Sequence, residues 1–203
     1  MSMQQAPVFE ETYQRYLVKL REIDIFARAE LLGIGREEGF LRVPLYGRQY
    51  HVSYDGIIDP TGAAATPAVR VVLCQYLLTC PDELPPLSER LVTYREFKDA
   101  GPLVSYFTTN TNKIIETTFT GQIPLLLQRA GLLGGERLVS HTHDLSLRFV
   151  ALPRIPVLLN FNDRDDLFAA SASVLYRASA EVFLDMESLA ITGTLLAGRL
   201  IRP

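Results

Sequence analysis

The chain has 203 residues, 48% of them hydrophobic, and its 20 basic and 23 acidic side chains leave a net charge of -3. That length and apolar content suffice for a sizeable core, and charge so nearly balanced argues against a nucleic-acid partner, which calls for a basic patch or stripe. The longest apolar stretches, around Ile155 to Leu159 and Val69 to Leu73, fall far short of the roughly 18 apolar residues of a membrane span, and Met1 to Pro7 lacks the basic start of a secretory signal, so a cytoplasmic chain without a membrane partner is expected.

From Phe9 the positions Tyr13, Tyr16, Leu17, Leu20, Ile23, Ala27 and Leu31 recur at steps of three and four, which predicts one helix ended by the cap glycine Gly33. The glycines at 33, 35 and 39 invite comparison with a dinucleotide-binding loop. Their spacing fails by one residue, and they lead from a helix into a strand rather than the reverse, so a helix cap and a turn are expected. Phe40 to Leu45 and Arg48 to Tyr54 are β-prone runs around Tyr46-Gly47, followed by Asp55-Gly56 and Ile57-Ile58. They predict a meander, with Asp55-Gly56 as the stronger two-residue turn.

Thr66 and Pro67 mark a helix start, with the Thr66 hydroxyl as cap, and the run to Leu78 can be buried on nearly all sides. Cys74 and Cys80 stand six residues apart in that segment, so their side chains diverge. Two unpaired thiols fit a reducing compartment, and two cannot hold an iron-sulfur cluster or a zinc ion alone. Pro81 to Ser88 reads as a loop, Leu91 to Phe97 as a strand, Thr109 to Phe119 as a polar helix and Ile123 to Leu133 as an apolar one ending at Gly134-Gly135. Leu145 to Leu152 and Ile155 to Phe161 alternate as strands around Pro153-Arg154, with Val157 and Leu159 expected inside. Ser171 to Tyr176 is a third strand, and Asp185 caps a last helix whose inner face is Leu189, Thr192/Gly193, Leu196 and Leu200. Without repeats or a linker, residues 1–203 read as a single α+β domain, a mainly antiparallel sheet flanked by helices.

Two local groups suggest chemistry. His141-Thr142-His143-Asp144 places two imidazoles at alternate positions of an extended segment, so that they point the same way beside a carboxylate. The pattern stops short of a metallo-hydrolase signature, because Leu145 and Ser146 stand where Asp and His are needed. Asp163-Arg164-Asp165-Asp166 follows a β-run, where ligand-binding loops commonly lie. As a calcium loop it fails, since Phe168 and Val174 occupy the glycine and glutamate positions. Asp163, Asp165, Asp166 and Phe168 are therefore candidates for a ligand or partner surface, with Phe168 tucked inward as the anchor.

The carboxyl-terminal residues Leu152-Pro153-Arg154-Ile155-Pro156-Val157, Asp165-Asp166-Leu167-Phe168, Ala172-Ser173-Val174-Leu175-Tyr176 and Leu184 to Glu187 carry a resemblance. Over Asp144 to Ile201 the chain resembles the family catalogued as domain of unknown function 3786, whose pattern runs Leu-Pro-Arg-Val-Pro, an acidic pair before Phe-Pro, then Leu-Phe-Asp. Here Ala169 follows Phe168, and Tyr176-Arg177 replaces Phe-Asp, which removes a candidate general acid/base. The resemblance implies a link to anaerobic redox or corrinoid one-carbon metabolism, where relatives are fused to a four-cysteine iron-sulfur module that this chain lacks. The expectation is a non-catalytic module that binds a protein or a small molecule, without a cofactor. The alternative is a small metal-dependent hydrolase built on His141, His143 and Asp144.

Overall fold

A computed structural model describes residues 5–202, with side chains from Glu10 onward; the side chain of Phe9 and the chain start at residues 1–4 fall outside it. The helix predicted up to Gly33 is divided. Helix α1 (Gln5–Arg21) ends early, because Asp24 Oδ1 accepts the Phe26 and Ala27 N–H groups at 2.9 and 3.1 Å and turns the chain. Gly33, at φ 69°, then caps the short α2 (Ala29–Leu32).

Next come β1 (Gly35–Glu37), β2 (Phe40–Leu45), β3 (Arg48–Ser53) and β4 (Gly56–Ile58), one antiparallel sheet in chain order. The turn chemistry reverses the sequence reading. Tyr46 and Gly47 both take positive φ, 48° and 75°, whereas the second turn centres on Tyr54-Asp55, neither with positive φ, and Gly56 pairs with Ser53 as the first residue of β4. Positive φ at both central positions is the primed hairpin geometry, and a tyrosine held there costs about 1–2 kcal/mol. Burial compensates: Tyr46 is 1% exposed, its hydroxyl donates to the Thr192 carbonyl at 2.9 Å, and its N–H donates to the Ala151 carbonyl at 3.0 Å.

Helix α3 (Pro67–Leu78) follows, with Pro67 in its first turn but no hydrogen bond from the Thr66 side chain; Cys80 lies beyond its end, and both thiols are buried and free. Only β5 (Leu91–Thr93) of the predicted strand up to Phe97 forms. A capping box between Thr93 and Glu96 winds Tyr94 to Glu96 into a 3-10 turn instead. The polar helix begins earlier than predicted, as α4 (Val104–Phe107), and passes through a π-helical turn (Thr108–Asn112) into α5 (Lys113–Phe119).

After α6 (Ile123–Leu132) the chain enters β6 (Glu136–Leu138), β7 (Leu145–Leu152), β8 (Ile155–Asn162) and β9 (Ser171–Arg177). These form a second antiparallel sheet in the order β5-β9-β8-β7-β6. The fold is therefore α+β, with two antiparallel sheets where one was expected. Val157 and Leu159 are buried as predicted, because even and odd residues of β8 face opposite ways.

Helix α7 (Met186–Ile201) covers the inner face of the second sheet. Asp185 caps it, accepting the Ser188 N–H at 2.7 Å, and Leu189, Thr192, Gly193, Leu196 and Leu200 are all buried. Arg199, also buried, donates to the Leu45 carbonyl at 2.5 Å and to the Tyr50 hydroxyl at 2.8 Å, which ties α7 to the first sheet. The π-helical turn packs on the same helix at Gly193, where any Cβ would collide with the Phe107 ring and stand 3.0 Å from Thr111 Oγ1. No helix of the described residues is long and apolar enough to cross a membrane.

Two glycines of α7 should respond with opposite sign. Gly193→Ala overpacks a filled core and is expected to lose roughly 1–3 kcal/mol. Gly198→Ala faces open space and should gain up to about 1 kcal/mol from helix propensity; urea unfolding of both variants measures the difference.

A second expectation concerns alkali. Burial pushes the Cys74 thiol from its ordinary value near 9 up to about 12, and burial, aided by Asp185 and Glu187, pushes the Tyr94 phenol from near 10 up to about 12. Both groups stay protonated in the folded chain at a pH where the unfolded chain has lost the protons. Their stabilising effect is complete below pH 9 and is lost as pH rises from 9 towards 12, at about 1.4 kcal/mol per pH unit for each proton. Urea midpoints measured from pH 7 to 11 should stay level up to about 9 and then fall.

Candidate functional site

Antiparallel pairing of β7 with β8 and of β8 with β9 aligns Leu145 with Phe161 and Asn162 with Ser171. The β6–β7 loop (139–144) and the β8–β9 loop (163–170) therefore emerge side by side at one end of the second sheet. The sheet thus brings together the two groups singled out in the sequence. Asp163 N–H donates to Asp144 Oδ2 at 2.8 Å, and Asp144 N–H donates to Asn162 Oδ1 at 3.2 Å. The turn between α5 and α6 joins them, since Gly121 N–H donates to Asp163 Oδ1 at 2.7 Å.

The histidine segment is bent rather than extended, so the alternation expected to aim both imidazoles the same way does not apply. Ser140 Oγ accepts the Thr142 and His143 N–H groups at 3.3 and 3.1 Å and curls the loop. His141 is exposed, while His143 is half-buried and borders an open cavity of about 290 Å³ together with Arg137, Val139, Ser140, Asp144 and Ser146. Two of the groups around this cavity are held by partners within the chain. His143 Nδ1 lies 2.9 Å from Thr142 Oγ1, and Ser146 Oγ donates to Asn160 Oδ1 at 2.7 Å. No hydroxyl–imidazole pair of the kind that activates a nucleophile joins a serine of the cavity to His143 among the described residues. Among those residues there is likewise no group of three His, Cys, Asp or Glu placed to hold a metal ion. His51, the remaining histidine, sits on β3 with its ring 4.4 Å from that of Phe40.

The acidic loop is organised by its own carboxylates. Asp165 Oδ1 accepts the Leu167 and Phe168 N–H groups, both at 2.7 Å, and Asp165 N–H donates to the Phe168 carbonyl at 3.0 Å. This closes a tight turn whose side chains point outward. Phe168 is 71% exposed, which corrects the inward anchor expected of it, and Leu167 beside it is 83% exposed. The turn takes its hydrogen bonds from Asp165, so no buried aromatic is needed to fix it. Val139, the first residue of the neighbouring loop after β6, is 90% exposed. Val139 and Leu167 were missed in the sequence. The signal for Leu167 was its place beside Phe168 in an otherwise acidic loop, where an apolar pair has no strand or helix to bury it.

A family model described as Domain of unknown function (DUF3786) matches residues 24–199, and the chain belongs to that family. The match begins well before Asp144, where the resemblance in the sequence starts, and takes in both sheets and both loops of this site. No curated protein and no solved structure matches the chain.

Asp165 and Asp166 should behave differently although they are adjacent. Asp166→Ala is expected to change stability by less than about 0.5 kcal/mol, and Asp165→Ala to cost about 1 kcal/mol, as loss of a capping carboxylate does. Amide hydrogen exchange at Leu167 and Phe168 should quicken in Asp165→Ala alone, which separates the organising carboxylate from the solvated one.

Proposed function

We propose that this chain is a non-catalytic protein-interaction module whose contact surface is the loop end of the second sheet. One observation carries the reading: Leu167 and Phe168 stand adjacent and 83% and 71% exposed on a turn whose N–H groups are already hydrogen-bonded. Single exposed apolar residues are ordinary, but an apolar pair at a tip, with Val139 on the next loop, is the makings of a binding patch. Because the turn is closed by Asp165, little loop entropy remains to be lost on association. Large apolar side chains that anchor a contact within a polar rim are the usual energetic centre of a protein interface.

The rim is mostly acidic, with Asp144, Asp163 and Asp166 beside Arg164. The partner that fits is a protein with an apolar pocket for the Leu167–Phe168 pair and basic groups around it. The neighbouring cavity is open and, at about 290 Å³, at the lower limit of small-molecule sites, which favours a protein over a small ligand.

A photo-crosslinking amino acid placed at position 168 should capture a defined protein in cells, and one placed at the exposed Val18 of α1 should not. The captured protein, purified, is expected to bind the wild-type chain and to lose at least tenfold in affinity for the Leu167→Ser, Phe168→Ser double variant, whose urea midpoint stays near wild type. Equal capture at both positions, or unchanged affinity for the double variant, would refute the proposal.

A further inference from the structure

Among the described residues a single carboxylate side chain belongs to a buried residue, that of Glu116 on α5, which is 9% exposed. Taking a charged group out of water is costly unless partners compensate it, so its surroundings explain why an acid stands there. Strand β5 is too short to cover the edge of β9: its last residue, Thr93, pairs with Leu175, and the stretch from Ser171 to Val174 has no strand beside it on that side. Helix α5 packs on β9 there. Glu116 Oε1 accepts the Ala172 N–H at 3.1 Å, and Oε2 accepts from Lys113 Nζ at 2.6 Å. The carboxylate takes the place of the missing strand for an amide that would otherwise be buried without a partner.

The opposite foot of the β8–β9 loop is held from the same helix. Gly121, in the turn that ends α5, takes φ 71° and donates its N–H to Asp163 Oδ1 at 2.7 Å. Asp163 N–H donates in turn to Asp144 Oδ2 on the neighbouring loop. Asp163 and Ala172 flank the turn that carries Leu167 and Phe168. Asp165 closes that turn on itself, which fixes its shape, whereas its direction relative to the sheet depends on the two feet.

We infer that α5 is a clasp that aims the Leu167–Phe168 turn, with Glu116 as the positioning residue of the contact surface. The inference rests on the surface proposed above and adds the group that holds it in place. A turn bonded at both feet meets its partner already oriented, so less freedom is lost on association. The acceptor at position 116 is what the Ala172 amide needs, and Lys113 keeps that acceptor from being an unpaired buried charge.

Pulsed electron resonance between spin labels on Val18→Cys of α1 and Phe168→Cys reads the aim of the turn; Cys74 and Cys80 are buried and stay unlabelled. The labelled chain should give one narrow distance. Glu116→Leu should replace it with a broad one and quicken amide exchange at Ala172 about tenfold, the effect of one lost hydrogen bond. The Leu167 and Phe168 amides, held by Asp165, should keep their rates. Glu116→Gln retains the acceptor and should restore the narrow distance. Asp163→Ala frees the other foot, should broaden the distance as well, and carries the test if Glu116→Leu does not fold. On unlabelled chains, the protein captured through position 168 should bind Glu116→Leu about tenfold more weakly and Glu116→Gln like the wild type. A narrow distance in both Glu116→Leu and Asp163→Ala, or unchanged affinity for both, overturns the clasp and leaves the contact surface standing. Failure to capture a protein at position 168 removes the surface, while the distances still report whether α5 aims the turn.

Discussion

The burial of one apolar helix is the constraint on which everything else rests. Helix α7 is surrounded on nearly all sides, and several neighbouring elements bring donors to its backbone carbonyls. Tyr94 donates to Met186 at 2.7 Å, Tyr46 to Thr192, and Arg129 to Leu200 and Ile201 at 2.9 and 2.6 Å. Thr192 and Tyr176 share the polar space around the Leu189 carbonyl. A buried hydroxyl without a partner is costly, so these bonds fix where each neighbour sits as well as holding it. Arg199 extends the same logic to the first sheet, with its guanidinium stacked 5.7 Å from the centre of the Tyr46 ring. Even the strained Tyr46 turn depends on α7, which accepts its hydroxyl.

The loop end inherits its precision from that arrangement. Alternation along β7, β8 and β9 buries Phe149, Leu159 and Val174 against the helices, and a one-residue slip of any of these strands would expose the whole set. The register is therefore locked by the core, and with it the adjacency of Asp144 and Asp163. Glu116 adds a lock at the entry to β9: its side chain accepts the Ala172 N–H at 3.1 Å and pairs with Lys113 at 2.6 Å.

Long elements with a strong period were legible in the sequence, and short or interrupted ones were not. The run from Leu145 to Asn162 alternates over two full strands, and α7 announces itself with Asp185 and four inward positions. Strands β1 and β6 have three residues each, too few for a period to show, and without them one sheet cannot be told from two. The division of the first helix turns on Asp24, whose side chain competes locally for amides while the apolar spacing runs on undisturbed. Much the same holds for the site. Both chemical groups were visible as local patterns, but their contact arises from strand register, which pairs residues some 18 to 19 positions apart. The outward turn of Phe168 was illegible because an apolar residue in a polar loop is ordinarily an anchor, and only the bonds to Asp165 reverse that expectation.

The π-helical turn at Thr108 to Asn112 has a consequence for the length of the chain. Such a turn accommodates one residue more than an α-helix would over the same rise, which acts as a phase shift of about 100° between the stretches on either side. Phe107 just before the turn and Thr111 within it meet Gly193, and Ile115, Glu116 and Phe119 face the core after it. Deleting one residue would restore a regular helix and swing the second set out of phase with the first, detaching Glu116 from β9. The stretch therefore tolerates changes of residue type far better than a change of count, so that homologous chains are expected to differ in spelling across it and to agree in number.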